Sequence, residues 1–219
     1  MSGRRTALRS ARGLWRIERE LWRQGFIHIA GLDEAGRGPL AGPVVAAAAV
    51  LPPRCRLPGV ADSKLLSAAR RERLHDLIME RARRVGIGIA EARTVDRLNI
   101  LAATHIAMQA AIEQLDPPPE LLLIDGRGLP GARIPQRAVV GGDRICGSIA
   151  AASILAKVVR DRLMMKLDAR YPGYGFRSHK GYATREHLAR LAELGPCPEH
   201  RLTFAPVRAL VQNRLPLAQ

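Results

Sequence analysis

The chain has 219 residues, of which 47% are hydrophobic, so it can bury a real core and is not expected to be disordered. Its 35 Lys and Arg against 20 Asp and Glu give a net charge of +15, which favours nucleic acid as a partner, although codon bias can account for part of the arginine excess. Three cysteines without CxxC spacing argue against a disulfide framework or a zinc site, and without a long apolar run we expect a cytoplasmic protein that does not enter a membrane.

The beginning of the chain is predicted to form a basic amphipathic helix followed by two strands. Residues 1–25 carry seven arginines, and their leucines and tryptophans recur near helical spacing, which favours packing against the fold. Apolar runs at 26–33 and 42–51 predict strands joined by a glycine-rich turn. Pro52 and Pro53 end the second strand.

Helical and strand patterns then alternate, which is typical of an α/β fold. The predicted elements are, in order, helix, strand, helix, strand and two further helices, at residues 68–84, 85–90, 94–115, 121–124, 145–170 and 185–194. Ser67 and Thr94 are the candidate caps of the first two of these helices. The run at 121–124 is fully apolar and suits a strand that is buried on both faces. A proline-punctuated tail is expected to follow the last helix.

The hexapeptide at residues 33–38, DEAGRG, is the most informative motif in the chain. Asp33 and Glu34 can bind a divalent cation, while the arginine between two glycines offers a guanidinium and exposed backbone N–H groups to a phosphate. Two adjacent acids at the end of a buried strand are costly to desolvate without a cation or a proton. A dinucleotide-binding glycine loop is disfavoured, because the spacing is GxGxxxG and Pro39 and Pro43 interrupt the required helix.

Two further acids are candidates for the same site. Asp125 ends a predicted strand as Asp33 does, and neighbouring parallel strands bring their carboxyl ends to one edge of a sheet. Glu34 would face the opposite side of a regular strand, but a turn at Gly36 can bring it back. Asp143 precedes the long helix and can equally be its N-cap, and Asp125 can equally be a turn residue. With Mg²⁺ or Mn²⁺, such a cluster would support phosphodiester chemistry.

The motifs resemble those of the type 2 ribonuclease H family over about residues 26–208. Six matching segments occur in the family's order: 29–45 around the hexapeptide, 62–64 (DSK), 123–126 (LIDG), 142–143 with 148–158, 179–184 (HKGYAT) and 200–207 (HRLTFAPV). The chain departs from the family pattern at 144–147 (RICG), where small serines are usual, and at Leu65, where many relatives have a second lysine.

The resemblance implies a ribonuclease H-like fold, which is a mixed five-stranded sheet flanked by helices, with a helical C-terminal extension. We therefore expect a single domain in three parts: a basic N-terminal helical segment at 1–25, a catalytic core at 26–170 and an extension packed on that core at 171–219. The implied protein is a cytoplasmic monomer.

The implied activity is that of an endoribonuclease that cleaves the RNA strand of RNA/DNA hybrids. It also cuts at single ribonucleotides embedded in duplex DNA and leaves 3′-hydroxyl and 5′-phosphate ends, as ribonucleotide excision and RNA primer removal require. The resemblance makes four carboxylates both catalytic and metal-binding, with Mn²⁺ or Mg²⁺ as cofactor and two ions during catalysis: Asp33, Glu34, Asp125 and Asp143. The alternative is a basic protein that binds nucleic acid without cutting it, but such a protein gains nothing from acids placed beside phosphates.

The resemblance also implies how the substrate is bound. The backbone of Gly36, Arg37 and Gly38 would read the ribose 2′-hydroxyl, the one group that distinguishes RNA from DNA at a nucleotide, because glycines let backbone groups approach closely. Tyr182 would pack on the neighbouring sugar, with a core aromatic as the alternative.

Three basic side chains are candidate phosphate contacts: Lys64, Lys180 and Arg37. Solvated surface charge is the alternative for all three, and it is the favoured interpretation for Lys180 taken alone.

Overall fold

A mixed five-stranded sheet forms the centre of the fold. The computed structural model describes residues 13–60 and 66–214. The strands are β1 (Ile29–Ala35), β2 (Val44–Val50), β3 (Arg84–Ala90), β4 (Leu121–Asp125) and β5 (Gln136–Val139), in the sheet order β3-β2-β1-β4-β5. β1 is antiparallel to β2 and parallel to β4, and the parallel pair is the one that the sequence analysis used to place Asp33 beside Asp125. The expected fold class is confirmed.

Helices cover both faces of this sheet. In chain order they are α1 (Arg16–Arg23), α2 (Ala68–Arg81), α3 (Ala92–Leu98), α4 (Ile100–Ile112), α5 (Gly142–Ile145), α6 (Gly147–Arg170), α7 (Phe176–His179), α8 (Arg185–Leu194) and α9 (Ala205–Arg214). None of the helices in the described part of the chain has the length and apolar character needed to cross a membrane.

The alternation of side chains along β2 divides the core into two layers. Its even-numbered residues pack with α4, and its odd-numbered residues pack with α2 and α6. Small residues at the start of α6 permit a close approach to β1: a Cβ on Gly31 would lie 2.1 Å from the Ser148 carbonyl carbon. The long helix is therefore seated directly against the strand that carries the hexapeptide.

The predicted helix over 94–115 is wrong in one respect, because Asn99 divides it. Asn99 has a φ of 75° and ends α3, while its side-chain oxygen accepts hydrogen bonds from the N–H groups of Leu101 and Ala102 and so caps α4. Thr94 lies inside α3 and is not a cap. The expected Ser67 cap is confirmed, since its hydroxyl accepts from the Arg70 N–H.

The C-terminal extension contains more helix than the sequence predicts. α8 matches the expected helix, whereas α7 and α9 were not expected. Pro206 is compatible with α9 because it lies in the first turn, where its missing N–H has no intrahelical partner to lose. The extension packs against the loop at residues 36–43, with Ala41 buried among Met164 and Phe176.

At the other end of the chain, α1 packs on the core as expected. Ile17 and Leu21 are buried beside Ile29 and Ile149, and the rings of Trp15 and Trp22 stack 6.1 Å apart. Residues 1–12 of the predicted basic segment lie outside the described residues.

Candidate active site

The sheet brings the two strand-terminal acids to the same edge. Leu32 of β1 is paired with Ile124 of the parallel strand β4, so the next residues, Asp33 and Asp125, lie side by side. Asp33 is 6% exposed, and its Oδ1 accepts a 2.7 Å hydrogen bond from the N–H of Glu34. Burial and the negative charges of Glu34 and Asp125 raise the pKa of Asp33 well above its usual range, while a hydrogen bond from Ser153 opposes the shift.

Glu34 follows Asp33 within β1, where it is paired with Ala46, and the chain turns two residues later. Gly36 has a φ of 97°, in the left-handed region that favours glycine, and a Cβ there would lie 2.1 Å from Arg160 Nε. Burial raises the pKa of Glu34, and the nearby charge of Asp125 raises it further, against a 3.1 Å contact with Arg37 Nη1. The influence of Asp125 indicates that the two carboxylates lie near one another, but β1 stays regular through Glu34, so a return of Glu34 by way of the turn at Gly36 stays a prediction.

Asp125 connects this edge to the segment that carries Asp143. Its Oδ1 accepts a 2.7 Å hydrogen bond from the N–H of Gly142, the first residue of α5. Asp143 follows and is 2% exposed. It is not a helix cap, because Gly141 and Cys146 occupy the N-cap positions of α5 and α6.

The carboxylates suit a hard divalent cation chemically. Their oxygen donors fit Mg²⁺ or Mn²⁺ better than zinc. Burial and then mutual repulsion raise the pKa values of Asp33 and Glu34, and a bound cation would offset both costs. Among the described residues, no three His, Cys, Asp or Glu side chains already stand in a geometry that would hold an ion. The gathering of all four carboxylates around shared ions stays a prediction.

Two buried arginines, which the sequence analysis missed, hold the loop at 36–43. Arg201 is 0% exposed and donates to four carbonyl oxygens of this loop, while Arg160 is 1% exposed and donates to the carbonyls of Ala41, Pro43 and Lys180. Burial lowers the pKa of Arg160, and burial together with the charge of Arg160 lowers the pKa of Arg201 to about 9. The only sequence signal is the place of Arg201 in a segment that matches the family.

Tyr182 lies beside this loop and is 45% exposed. Its Cε1 lies 3.8 Å from the position that a Cβ on Gly38 would take. The core-aromatic alternative is therefore wrong. Lys180 lies two residues earlier, where its Nζ donates to the Arg177 carbonyl at 2.7 Å and partial burial lowers its pKa. Lys64 lies outside the described residues.

Three histidines beneath Tyr182, which we call the histidine cluster, were also missed: His179, His187 and His200. Nδ1 of His187 lies 2.9 Å from the Tyr182 carbonyl, and its Nε2 lies 3.1 Å from His200 Nε2. The Cys197 N–H donates to His200 Nδ1 at 3.0 Å, which makes that nitrogen an acceptor. The hydrogen bonds therefore fix both His187 and His200 as neutral tautomers.

Comparison with known proteins agrees with this arrangement. The ribonuclease H2 of Pyrococcus horikoshii OT3 superposes with a TM-score of 0.73 at 26% identity, covering 85% of this chain and 98% of that one. Bst-RNase HIII, solved in complex with Mn²⁺, superposes with a TM-score of 0.67 over 93% of this chain and 72% of that one, and its 20% identity shows the fold alone. Fold and carboxylate edge together define a protein of the ribonuclease H type.

A family model and relatives of higher sequence identity show the family of the chain. The family model described as Ribonuclease HII matches residues 30–207. A Ribonuclease HII from Geobacter metallireducens is 55% identical over 90% of this chain and 92% of its own length. The chain belongs to the ribonuclease HII family and is an endoribonuclease with ribonuclease H activity on RNA/DNA.

Proposed function

We propose that the chain cuts both the RNA strand of RNA/DNA hybrids and single ribonucleotides embedded in duplex DNA, and that it leaves 3′-hydroxyl and 5′-phosphate ends. The observation that carries the proposal is the juxtaposition of an acidic edge with a surface suited to one ribonucleotide. Asp33 and Glu34 lie among the last three residues of β1, and the chain then leads into the exposed Arg37 and Gly38, beside Tyr182. Ribonucleotide excision and RNA primer removal are the processes that this activity would serve.

The acidic edge would hold Mn²⁺ or Mg²⁺, two ions during catalysis. Asp33, Glu34 and Asp125 would be the ligands at the ends of β1 and β4, and Asp143 would complete the set from α5. The bound ions would supply an activated water and stabilise the leaving oxygen of an in-line displacement. The carboxylates would also keep the substrate's phosphates away until cations are bound, so cleavage should require added metal.

Recognition of the ribonucleotide would come from Gly38 and Tyr182 together. The exposed backbone at Gly38 lets a ribose 2′-hydroxyl approach within hydrogen-bonding distance. The ring of Tyr182 would lie against the neighbouring sugar and favour one without that hydroxyl. Arg37, Lys180 and Lys64 would contact phosphates, so replacing them should weaken binding and reduce its salt dependence.

The decisive experiment uses a labelled DNA duplex that contains one ribonucleotide. Incubation with Mg²⁺ or Mn²⁺ should give a single cut at the ribonucleotide, and the products should carry a 3′-hydroxyl that a polymerase can extend. Chelation should stop the reaction. Binding without any cut would contradict the proposal and favour the non-catalytic alternative. Cutting of long hybrids alone would limit the activity to the RNA strand of RNA/DNA hybrids.

A further inference from the structure

The guanidinium of Arg201 donates hydrogen bonds to backbone carbonyls on one side of the loop at residues 36–43. Its three nitrogens make five hydrogen bonds of 2.6–3.1 Å to backbone carbonyls, those of Gly36, Arg37, Pro39 and Gly42. Arg201 itself is 0% exposed, and the ring of Phe204 lies 5.1 Å from its guanidinium carbon. The planar guanidinium of an arginine carries five N–H donors and can reach four converging carbonyls at once, whereas the ammonium group of a lysine has three donors on one nitrogen.

The direction of these carbonyls fixes the direction of the neighbouring N–H groups. In a planar trans peptide the C=O of one residue points opposite to the N–H of the next. The loop shows this directly at Pro39, whose carbonyl faces Arg201 while the following N–H, of Leu40, donates the other way to Gly181. Because the carbonyls of Gly36 and Arg37 also face Arg201, the N–H groups of Arg37 and Gly38 point away from it.

Those two N–H groups face solvent and are left for a ligand. Arg37 and Gly38 are both exposed, while Gly36 and Pro39 on either side are buried. Within residues 13–60 and 66–214, neither N–H has a backbone acceptor. Two adjacent N–H groups pointing the same way form a small concave donor site for an oxygen atom, and Tyr182 stands at its edge.

We propose that Arg201 is a positioning residue for substrate discrimination: it holds the carbonyls of Gly36 and Arg37 inward so that the N–H groups of Arg37 and Gly38 meet the 2′-hydroxyl oxygen of the ribonucleotide. The inference rests on the proposed function, because it concerns how that function selects RNA. Arg201 makes no contact with the substrate in this account. Its loss should therefore reduce selectivity rather than the affinity for nucleic acid in general.

The test measures affinity for two duplexes of the same sequence, one all DNA and one with a single ribonucleotide, in an Asp125→Asn background that prevents cutting. The background protein should prefer the ribonucleotide, and adding Arg201→Lys should reduce that preference about tenfold, the value of two ordinary hydrogen bonds. Arg190→Lys, which changes an exposed arginine paired with Glu193, is the matched control and should keep the preference. An unchanged preference in a folded Arg201→Lys protein would overturn the inference.

A second pair of variants keeps the test decisive if Arg201→Lys does not fold. Gly38→Pro removes the N–H and Gly38→Ala keeps it, and an alanine Cβ would meet Tyr182 only at an ordinary 3.8 Å. Proline should therefore reduce the preference for the ribonucleotide more than alanine does, and equal effects would refute the role of the N–H groups. If the background protein itself shows no preference, the proposed function fails instead, and the two failures are distinguishable.

Discussion

The side chain of Asp125 and the backbone of Gly142 are joined by a 2.7 Å hydrogen bond, although they are 17 residues apart in the sequence. The bond ties the carboxyl end of β4 to the first turn of α5. Asp143 is the next residue, so the position of one candidate metal ligand depends on another. A Cβ on Gly142 would lie 2.5 Å from Ile149 Cδ1 and 3.4 Å from Asp125 Oδ1, which leaves little freedom at this junction.

Replacing Asp125 with asparagine should separate binding from cleavage. The asparagine oxygen can still accept the Gly142 N–H, so the junction should survive, but the charge that attracts a cation is lost. We expect cleavage of a ribonucleotide-containing duplex to fall about a hundredfold or more, since a catalytic cation supplies several kcal/mol. Binding of the same duplex should stay within about twofold, because the substitution removes no cationic contact.

The control for this substitution is Glu113→Gln, which removes one negative charge from the exposed end of α4. It should leave both binding and cleavage unchanged. Single-turnover rates and fluorescence anisotropy would measure the two quantities. Normal turnover by the Asp125→Asn protein would exclude Asp125 as a metal ligand.

The contact between β1 and α6 predicts an intolerance to any side chain at residue 31. A Cβ on Gly31 would lie 2.1–2.4 Å from the backbone of Ser148 and Ile149, and backbone atoms in the buried first turn of α6 cannot move aside. Gly31→Ala should reduce the free energy of unfolding by about 3 kcal/mol or more. Gly13→Ala is the matched control, because nothing lies within 4 Å of its Cβ position. Equal urea midpoints for the two variants would contradict the packing.

The sequence predicted four of the five strands because these carry strong local signals, whereas β5 is short and mostly exposed and was not predicted. The apolar runs of β2 and β4 end at prolines or at a carboxylate, and the order of helices and strands limits the topology. The adjacency of Asp33 and Asp125 followed from parallel pairing alone. The division of one helical pattern at Asn99 was missed, because an asparagine cap inside a continuous apolar pattern has no periodic signature.

The buried arginines and histidines that pack around the candidate site could not be predicted from local sequence patterns. Arginine is rarely buried, and whether Arg160 or Arg201 can be buried depends on carbonyls from a distant loop that only the folded chain brings together. The histidines beneath Tyr182 are likewise spaced along the chain without a local pattern. Tyr182 itself was placed by the resemblance, and its exposure then removed the alternative of a core residue.

The histidine cluster predicts a loss of stability in mild acid. Burial lowers the pKa of His200 to about 4 and also lowers that of His187, against about 6.5 for an unfolded histidine. As the pH falls from 6.5 towards 4, the unfolded state takes up protons that the folded state does not, so the folded state is progressively destabilised. A proton on His187 Nε2 would also place two N–H groups face to face across the 3.1 Å Nε2–Nε2 contact, and a proton on His200 Nδ1 would face the Cys197 N–H at 3.0 Å.

Urea denaturation between pH 7.5 and pH 4 would measure this effect in the wild-type chain and in a His200→Gln variant. The variant has no proton to take up at this position, so the loss of stability over the interval should be smaller by roughly 1–3 kcal/mol. Comparison of the two proteins cancels the titration of the carboxylates that they share. His105→Gln, on α4 outside the cluster, should keep the wild-type dependence. The same pH dependence in the His200→Gln and wild-type proteins would contradict the lowered pKa of His200 in the folded state.

Glu18 connects α1 to the start of the long helix α6. Glu18 is 1% exposed, and its Oε1 accepts from the N–H and hydroxyl of Ser148 at 2.8 and 2.9 Å and from the Cys146 thiol at 3.3 Å. A negative charge is favourable at the N-terminus of α6, where N–H groups lack helical partners. Gly147 belongs to the same junction, because a Cβ there would lie 2.4 Å from the Trp15 ring. The segment at 144–147, where the chain departs from the family pattern, is therefore in contact with α1 through Cys146 and Gly147.

Glu18→Ala would leave the buried Ser148 donors without an acceptor and should reduce the free energy of unfolding by about 2–4 kcal/mol. Glu18→Gln keeps an oxygen in the same place and should recover part of the loss, though not the interaction of the charge with the helix terminus. Glu20→Ala, two residues away on the exposed face of α1, controls for the change in helix composition and should have little effect. Thermal and urea unfolding of the three variants would measure these differences. Equal free energies of unfolding for the Glu18→Ala and Glu20→Ala proteins would mean that the contacts of Glu18 with Ser148 and Cys146 do not stabilise the fold.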